Sequence, residues 1–318
     1  MLINTLKWGA LASLLALGAA HAAPAPATSA SAASAPQSPL VTTEWLEQNI
    51  KNPNVRILEV SVNPGLFERG HIPGATNVNW HTDLVDTVNR DIASQAQLQD
   101  VLRRAGVGSD TTTVLYGDNN NWFAAWGAWV LDVYGVDNVK ILDGGRKKWE
   151  ADGRPLSTSA QIQTPGNIEV GAANPALRAR LTDVLAAVQT PANAALVDIR
   201  SADEYTGKIF APAGVPELTV RAGHVPGAVN VPWGKLVAED GTFKPVEELR
   251  AIYKAVGIDG SKPIITYCRI GERSSHSWFA LSKLLGYDTR NYDGSWTEYG
   301  NAVGVPISNP AGTVWGKT

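Results

Sequence analysis

Apolar positions along the chain fall into short continuous runs separated by segments of helical period. Residues 55–60 and 112–116 read as buried strands, and residues 95–104 and 122–134 as helices. The same succession returns farther on, with strands expected over 195–199 and 263–267 and helices over 246–256 and 274–285. Strands alternating with helices build βαβ units, whose crossovers give parallel sheets covered by helices. An α/β fold follows.

The succession is a true repeat. Gly70-His71-Ile72-Pro73-Gly74-Ala75-Thr76-Asn77-Val78-Asn79-Trp80 recurs as Gly223-His224-Val225-Pro226-Gly227-Ala228-Val229-Asn230-Val231-Pro232-Trp233. Tyr116, a polar loop, an aromatic-rich stretch and Gly135 are echoed by Tyr267, a second polar loop, Trp278-Phe279 and Gly286. The expected organisation is a domain over residues 40–155, a polar Gly/Pro-punctuated linker over 156–176 and a second domain over 177–310. A chain of 318 residues is long enough for both to bury a core.

Ahead of the repeat, Lys7, an apolar run over 8–17 and the small-x-small sequence Ala20-His21-Ala22 read as a cleavable signal peptide over residues 1–22. The apolar run falls short of the roughly 20 residues that span a bilayer, so no stable membrane insertion is expected after cleavage. Residues 23–39, rich in Ala, Pro and Ser, read as a flexible tether. The expected location is periplasmic or secreted. A net charge of -3 without a basic block argues against a nucleic-acid partner. Five histidines and one cysteine show no zinc-type spacing, and Asp143-Gly144-Gly145 is no phosphate-binding fingerprint, so neither metal nor other cofactor is expected.

Ligands of parallel sheets bind beyond the carboxyl ends of the strands, which directs attention to two equivalent loops. One is Tyr116-Gly117-Asp118-Asn119, acidic and without a nucleophile; the other is Tyr267-Cys268-Arg269-Ile270-Gly271-Glu272-Arg273-Ser274. The first domain is therefore expected to be catalytically silent and to cover one side of the site. In the second, a strand ending at Cys268, a loop containing Gly271 and a helix opening at Ser274 or Ser275 would aim backbone N–H groups at one spot. Such surroundings, with Arg269 and Arg273, are expected to lower the Cys268 thiol from about 8.5 and make it a nucleophile. Ser274 and Ser275 are expected to cap the helix. His276 is placed either to tune Cys268 or to face solvent. His71 and His224 share one turn, present in the silent domain too, and are read as structural. Trp122, Trp126 and Trp129 fall at helical spacing and are read as core or domain-interface packing.

The loop 268–275, the segment Phe67-x-x-x-His71-Ile72-Pro73-Gly74-Ala75 and the segment Asp293-Gly294-Ser295-Trp296-x-Glu298-Tyr299 together resemble tandem-domain thiosulfate sulfurtransferases of the rhodanese type. The resemblance runs from about residue 40 to the C-terminus. It implies two rhodanese-like domains and ping-pong catalysis, in which the Cys268 thiolate takes the outer sulfur of thiosulfate, sulfite leaves, and cyanide or a thiol removes the sulfur. It also implies that Arg200 reaches the pocket and binds the sulfonate end of the substrate beside Arg269 and Arg273, while the backbone of Ile270, Gly271, Glu272 and Ser274 cradles the anion. Asp198 is expected to hold backbone or an arginine. Glu272, whose charge would weaken anion binding, is expected to point outward. Relatives that use 3-mercaptopyruvate carry an uncharged Cys-Gly-Ser/Thr-Gly-Val-Thr loop, so that donor is the alternative, as is a persulfide carrier without turnover. Phosphatases and arsenate reductases of similar fold place five residues between Cys and Arg, whereas Cys268 and Arg273 enclose four.

Overall fold

The computed structural model describes residues 38–216 and 218–316. The expected signal peptide and most of the tether lie outside the described residues. Among the described residues no helix is long and apolar enough to cross a membrane.

Apolar runs buried on both faces pair as parallel strands, because crossover helices must cover both sides of the sheet. The strands are β1 (Leu40–Val41), β2 (Val55–Glu59), β3 (Ala75–Asn77), β4 (Val85–Asp86), β5 (Asp91–Ile92), β6 (Thr112–Tyr116), β7 (Val139–Leu142), β8 (Ala195–Asp198), β9 (Val229–Asn230), β10 (Ile264–Tyr267) and β11 (Thr289–Asn291). One sheet runs β1-β7-β6-β2-β3 and the other β11-β10-β8-β9, with every neighbouring pair parallel. β4 and β5 form a separate antiparallel ribbon.

The repeat in sequence is thus a repeat in register. Glu59 lies opposite Tyr116 in the first sheet, and Asp198 opposite Tyr267 in the second. Each tyrosine hydroxyl accepts a backbone N–H of the repeated turn, Ile72 at 2.9 Å and Val225 at 3.1 Å. The histidines of those turns are buried, as their structural reading requires. His71 stacks on Phe67 and its Nδ1 lies 2.9 Å from the Phe67 carbonyl oxygen; His224 stacks on Tyr205 with Nδ1 2.6 Å from that residue's carbonyl oxygen.

Helices form at Gln95–Arg104, Trp122–Val133 and Val246–Lys254, close to the expected bounds. The last expected helix differs. It opens at Glu272, runs to Trp278 and continues as a π-helix over Phe279–Leu284. Gly271 provides the left-handed entry at φ 105°, so no serine cap is needed; Ser274 and Ser275 instead turn their hydroxyls back to the Gly271 carbonyl at 2.9 and 2.8 Å.

Trp278 and Phe279 join the buried core of the first half, in one cluster with Leu58, Val60, Leu115, Trp126 and Trp129. Each such buried aromatic contributes roughly 2–3 kcal/mol, so the two halves share a substantial part of their stability. Trp122 meets Trp233 edge-on at 4.8 Å, Lys283 pairs with Asp132 at 2.7 Å, and the Phe243 N–H donates to Asp143 at 2.9 Å. The segment after Ala151 lies along the first half, where Ile168 and Gly171 donate to the carbonyls of Val107 and Tyr134.

Candidate active site

β10 delivers Cys268 to the carboxyl edge of its sheet, and the next residues wrap around its sulfur. The Cys268 N–H donates to Ser295 Oγ at 3.0 Å and its carbonyl accepts the Trp296 N–H at 3.1 Å. Its Sγ accepts the Gly271 N–H at 3.1 Å. A Cβ on Gly271 would stand 2.7 Å from the Asp293 Cα, so only glycine lets the loop close here. Cys268 is completely buried.

Glu272 corrects the expectation that it points outward. It is 4% exposed, with Oε2 3.6 Å from Cys268 Sγ and Oε1 3.9 Å from Arg273 Nε. The early start of the helix puts its first side chain on the inner side of the loop, and Arg273 makes the buried charge tolerable. Arg273 is itself buried: Nη1 and Nη2 lie 3.3 and 3.2 Å from the two carboxylate oxygens of Glu204, and its guanidinium stands 5.9 Å over the Trp122 ring. Glu204 also accepts the Ser201 N–H at 3.0 Å in a capping box. Burial pushes the Glu204 carboxyl up, but Arg273 and then Arg200 more than offset this and leave it below its ordinary value.

These neighbours also reverse the expectation for the thiol. Burial, then the Glu272 carboxylate, hold Cys268 above the ordinary thiol value, while Arg273 and the Ser274 hydrogen bonds pull the other way without prevailing. The thiol form is thereby favoured over the thiolate.

Arg200 departs from its expected role. It is 1% exposed, bound through Nε and Nη2 to Asp198 at 2.6 to 3.2 Å and through Nη2 to the Gly223 carbonyl at 2.7 Å. Its guanidinium stacks 4.7 Å from the Trp296 ring. Asp198, two residues earlier, offers a carboxylate that would be costly to bury alone, so the pair closes inside the domain rather than on the substrate side. Asp198 thus holds an arginine, as expected.

Arg269 lies on the outer side of the loop, half-buried, with Nη1 3.2 Å from the Pro216 carbonyl. No carboxylate among the described residues pairs with it. Ile270, also half-buried, presents its carbonyl 3.5 Å from Nη2 of Arg90, which reaches over from the first half. His276 is 1% exposed and stacked on Phe243 at 4.4 Å; burial pushes it down to about 3. The solvent-facing position is therefore excluded.

Ser295, Glu204 and Arg90 belong to this site and were not singled out from sequence. Ser295 stands where the first half has Gly145, and both adopt positive φ, 51° and 58°. A residue-by-residue comparison of Asp143-Gly144-Gly145 with Asp293-Gly294-Ser295 would have marked it. Glu204 was legible as the fourth residue of Ser201-x-x-Glu204, a capping box.

In the first half, Gly117 takes the place of Cys268. Its N–H donates to Asn121 Oδ1 at 2.9 Å, and its carbonyl accepts the Arg146 N–H at 3.1 Å. A Cβ there would lie 2.3 Å from the Val60 carbonyl oxygen, so the position is closed to any side chain.

The profile of the Rhodanese-like domain matches residues 42–152 and again 181–302. A protein of Mycolicibacterium smegmatis named "Putative thiosulfate sulfurtransferase" is 49% identical over 270 residues, spanning 84% of this chain and 96% of that one. The "Sulfur carrier protein TtuD" of Thermus thermophilus is 48% identical over 273 residues, or 85% of this chain and 96% of its own. Among solved structures, SseA from Escherichia coli, described with the "3-mercaptopyruvate sulfotransferases", superposes with a TM-score of 0.70 at 30% identity, covering 82% of this chain and 99% of that one.

Proposed function

The chain belongs to the rhodanese family, with two such domains in tandem, and from this premise we propose that it moves the outer sulfur of thiosulfate through a Cys268 persulfide to cyanide or a thiol, releasing sulfite. It is a sulfurtransferase, with a sulfur donor and a sulfur acceptor as substrates. The observation that carries the reading is the single thiol of the chain held at the floor of a loop, its Sγ facing the Gly271 N–H at 3.1 Å, with Arg273 among the groups that favour its anion. The same donors suit a persulfide anion. Arg269, without a carboxylate partner among the described residues, favours a compact dianion over a monocarboxylate. Covalent capture splits the transfer into two steps, thiolate on sulfane sulfur and then acceptor on persulfide.

Intact mass before thiosulfate, after it and after cyanide tests this reading. One added sulfur atom, removed by cyanide and absent from Cys268→Ser, is the expected series; a serine variant that still releases sulfite at the wild-type rate overturns it. The carrier reading draws on the Thermus thermophilus relative. Steady turnover of thiosulfate with cyanide and no partner protein distinguishes an enzyme from a carrier. The leader over residues 1–22 supports export to the periplasm or beyond, which fractionation of the native cells tests.

A further inference from the structure

The thiol that must attack is held above its ordinary value and is completely buried. A proton therefore has to leave the sulfur inside the loop. We propose that Glu272 is a catalytic proton acceptor, taking the Cys268 proton as the sulfur attacks and keeping it for as long as the persulfide is on the enzyme. The proposal rests on the persulfide reading above and adds a second reacting group to it.

The geometry selects Glu272 among the charged groups around the sulfur. Its Oε2 lies 3.6 Å from Sγ. Glu204 is occupied by Arg273, Asp198 by Arg200, and Asp293 by Arg178 at 3.0 Å. His276 is stacked on Phe243, with Nδ1 facing no partner. Ser295 Oγ is 3.9 Å from Sγ but donates to the Tyr292 carbonyl at 2.7 Å. The cation beside Glu272 is Arg273 on its own helix, 3.9 Å from Oε1; Arg269 lies on the outer side of the same loop and Arg90 at the Ile270 carbonyl. None of these accepts a proton.

The chemistry balances. In loading, the S–H bond of Cys268 breaks with its proton passing to the Glu272 carboxylate, the Cys268 sulfur bonds the outer sulfur of thiosulfate, and the S–S bond of thiosulfate breaks with its electron pair leaving on sulfite. Thiol, carboxylate and thiosulfate dianion become persulfide anion, carboxylic acid and sulfite dianion, three negative charges on each side. In unloading by cyanide, carbon bonds the outer sulfur, the Cys268–sulfur bond breaks toward Cys268, and the Glu272 proton returns to that sulfur, giving thiocyanate, thiol and carboxylate. A neutral carboxyl beside the persulfide removes the repulsion that a carboxylate would exert there and donates a hydrogen bond to it.

Two measurements test this. In difference infrared spectra at pH 7, loading the wild type with thiosulfate should produce one new carboxylic-acid carbonyl band, absent when Glu272→Gln is loaded. A wild type that forms persulfide with no such band overturns the proposal and leaves the sulfurtransferase reading standing. In stopped-flow loading followed by mass, Glu272→Gln should still gain one sulfur atom but load roughly a hundredfold more slowly at pH 7, with a rate that climbs as the thiol ionises. If Glu272 acted only as a nearby charge, its removal would free the thiolate and the variant would load faster than the wild type. That outcome also overturns the proposal. Absence of any sulfur gain in the wild type removes the proposal together with the reading on which it rests.

Discussion

Ser295 accepts the backbone N–H of Cys268 on its hydroxyl oxygen at 3.0 Å and donates its own O–H to the Tyr292 carbonyl at 2.7 Å, from a left-handed φ of 51°. The hydroxyl thus fixes the start of the catalytic loop while the backbone beneath it is strained. Ser295→Ala removes both hydrogen bonds and retains the strain, whereas Ser295→Gly removes the bonds and relieves it. Alanine should therefore be less stable than glycine by about 1 kcal/mol, and both less stable than serine by about 1–3 kcal/mol, in urea unfolding at pH 7. A serine-to-alanine change no more harmful than serine-to-glycine would refute the strain.

Arg273 carries two buried carboxylates, Glu204 and Glu272. Arg273→Ala leaves both uncompensated, so it should cost about 3–5 kcal/mol of stability. In the protein that remains folded, kcat/KM for thiosulfate should drop tens-fold to several-hundred-fold, as one contact of about 2–4 kcal/mol is lost in the transition state. The paired change Arg273→Ala with Glu204→Gln should recover part of the stability and none of the activity. Recovery of both would mean that the guanidinium acts only on the fold.

The first half lacks a thiol at the position equivalent to Cys268, and its packing closes that position to one. Gly117→Cys would drive a Cβ to 2.3 Å from the Val60 carbonyl oxygen, and Val60 is pinned by its own hydrogen bond to the Tyr116 carbonyl at 2.8 Å. The variant should lose about 3 kcal/mol and still gain a single sulfur atom from thiosulfate by intact mass. Two sulfur atoms with turnover at both would contradict this.

His276 gives the fold a pH dependence of predictable sign. Burial depresses it to about 3 in the folded protein, against 6.5 ordinarily, so between these values the unfolded chain binds the extra proton. The stability it contributes is complete above pH 6.5 and declines as pH falls toward 3. Asp143, raised by burial to about 6, works in the opposite direction, so the comparison must be with a variant. His276→Phe, which keeps an aromatic ring against Phe243, should lose about 2 kcal/mol less than the wild type between pH 7 and pH 5 in urea titrations. Equal losses would show that the ring charges in the folded state.

The fold was legible because hydrophobic runs and a repeated turn are local records of it. The segment expected over 112–116 is β6, and that over 95–104 is the helix Gln95–Arg104. Cys268 was legible for a different reason, as the chain's single thiol, in a loop whose counterpart in the first half has Gly117 at that position. The directions of its charged neighbours were not. Whether Glu272 faces in or out depends on Arg273, whose place depends on Glu204, 69 positions earlier in the chain. Arg200 likewise reads as a ligand until Asp198, Gly223 and Trp296 are seen to enclose it. Glu204, Gly223 and Trp296 are distant in sequence, and local pattern does not show that they meet these side chains.

Trp278 and Phe279, six and seven residues beyond Glu272, belong to the same buried cluster as Val60, Trp126 and Trp129 of the half that lacks the thiol. The helix that opens at Glu272 is therefore anchored by its far end in the other copy. Duplication ordinarily frees one copy to change, and in the first half the position equivalent to Cys268 is Gly117. The surrounding scaffold had no such freedom, because deleting it would strip two large aromatic rings on the helix that follows the nucleophile. Selection on sulfur transfer consequently acts on both copies at once, and the two are inherited as one object.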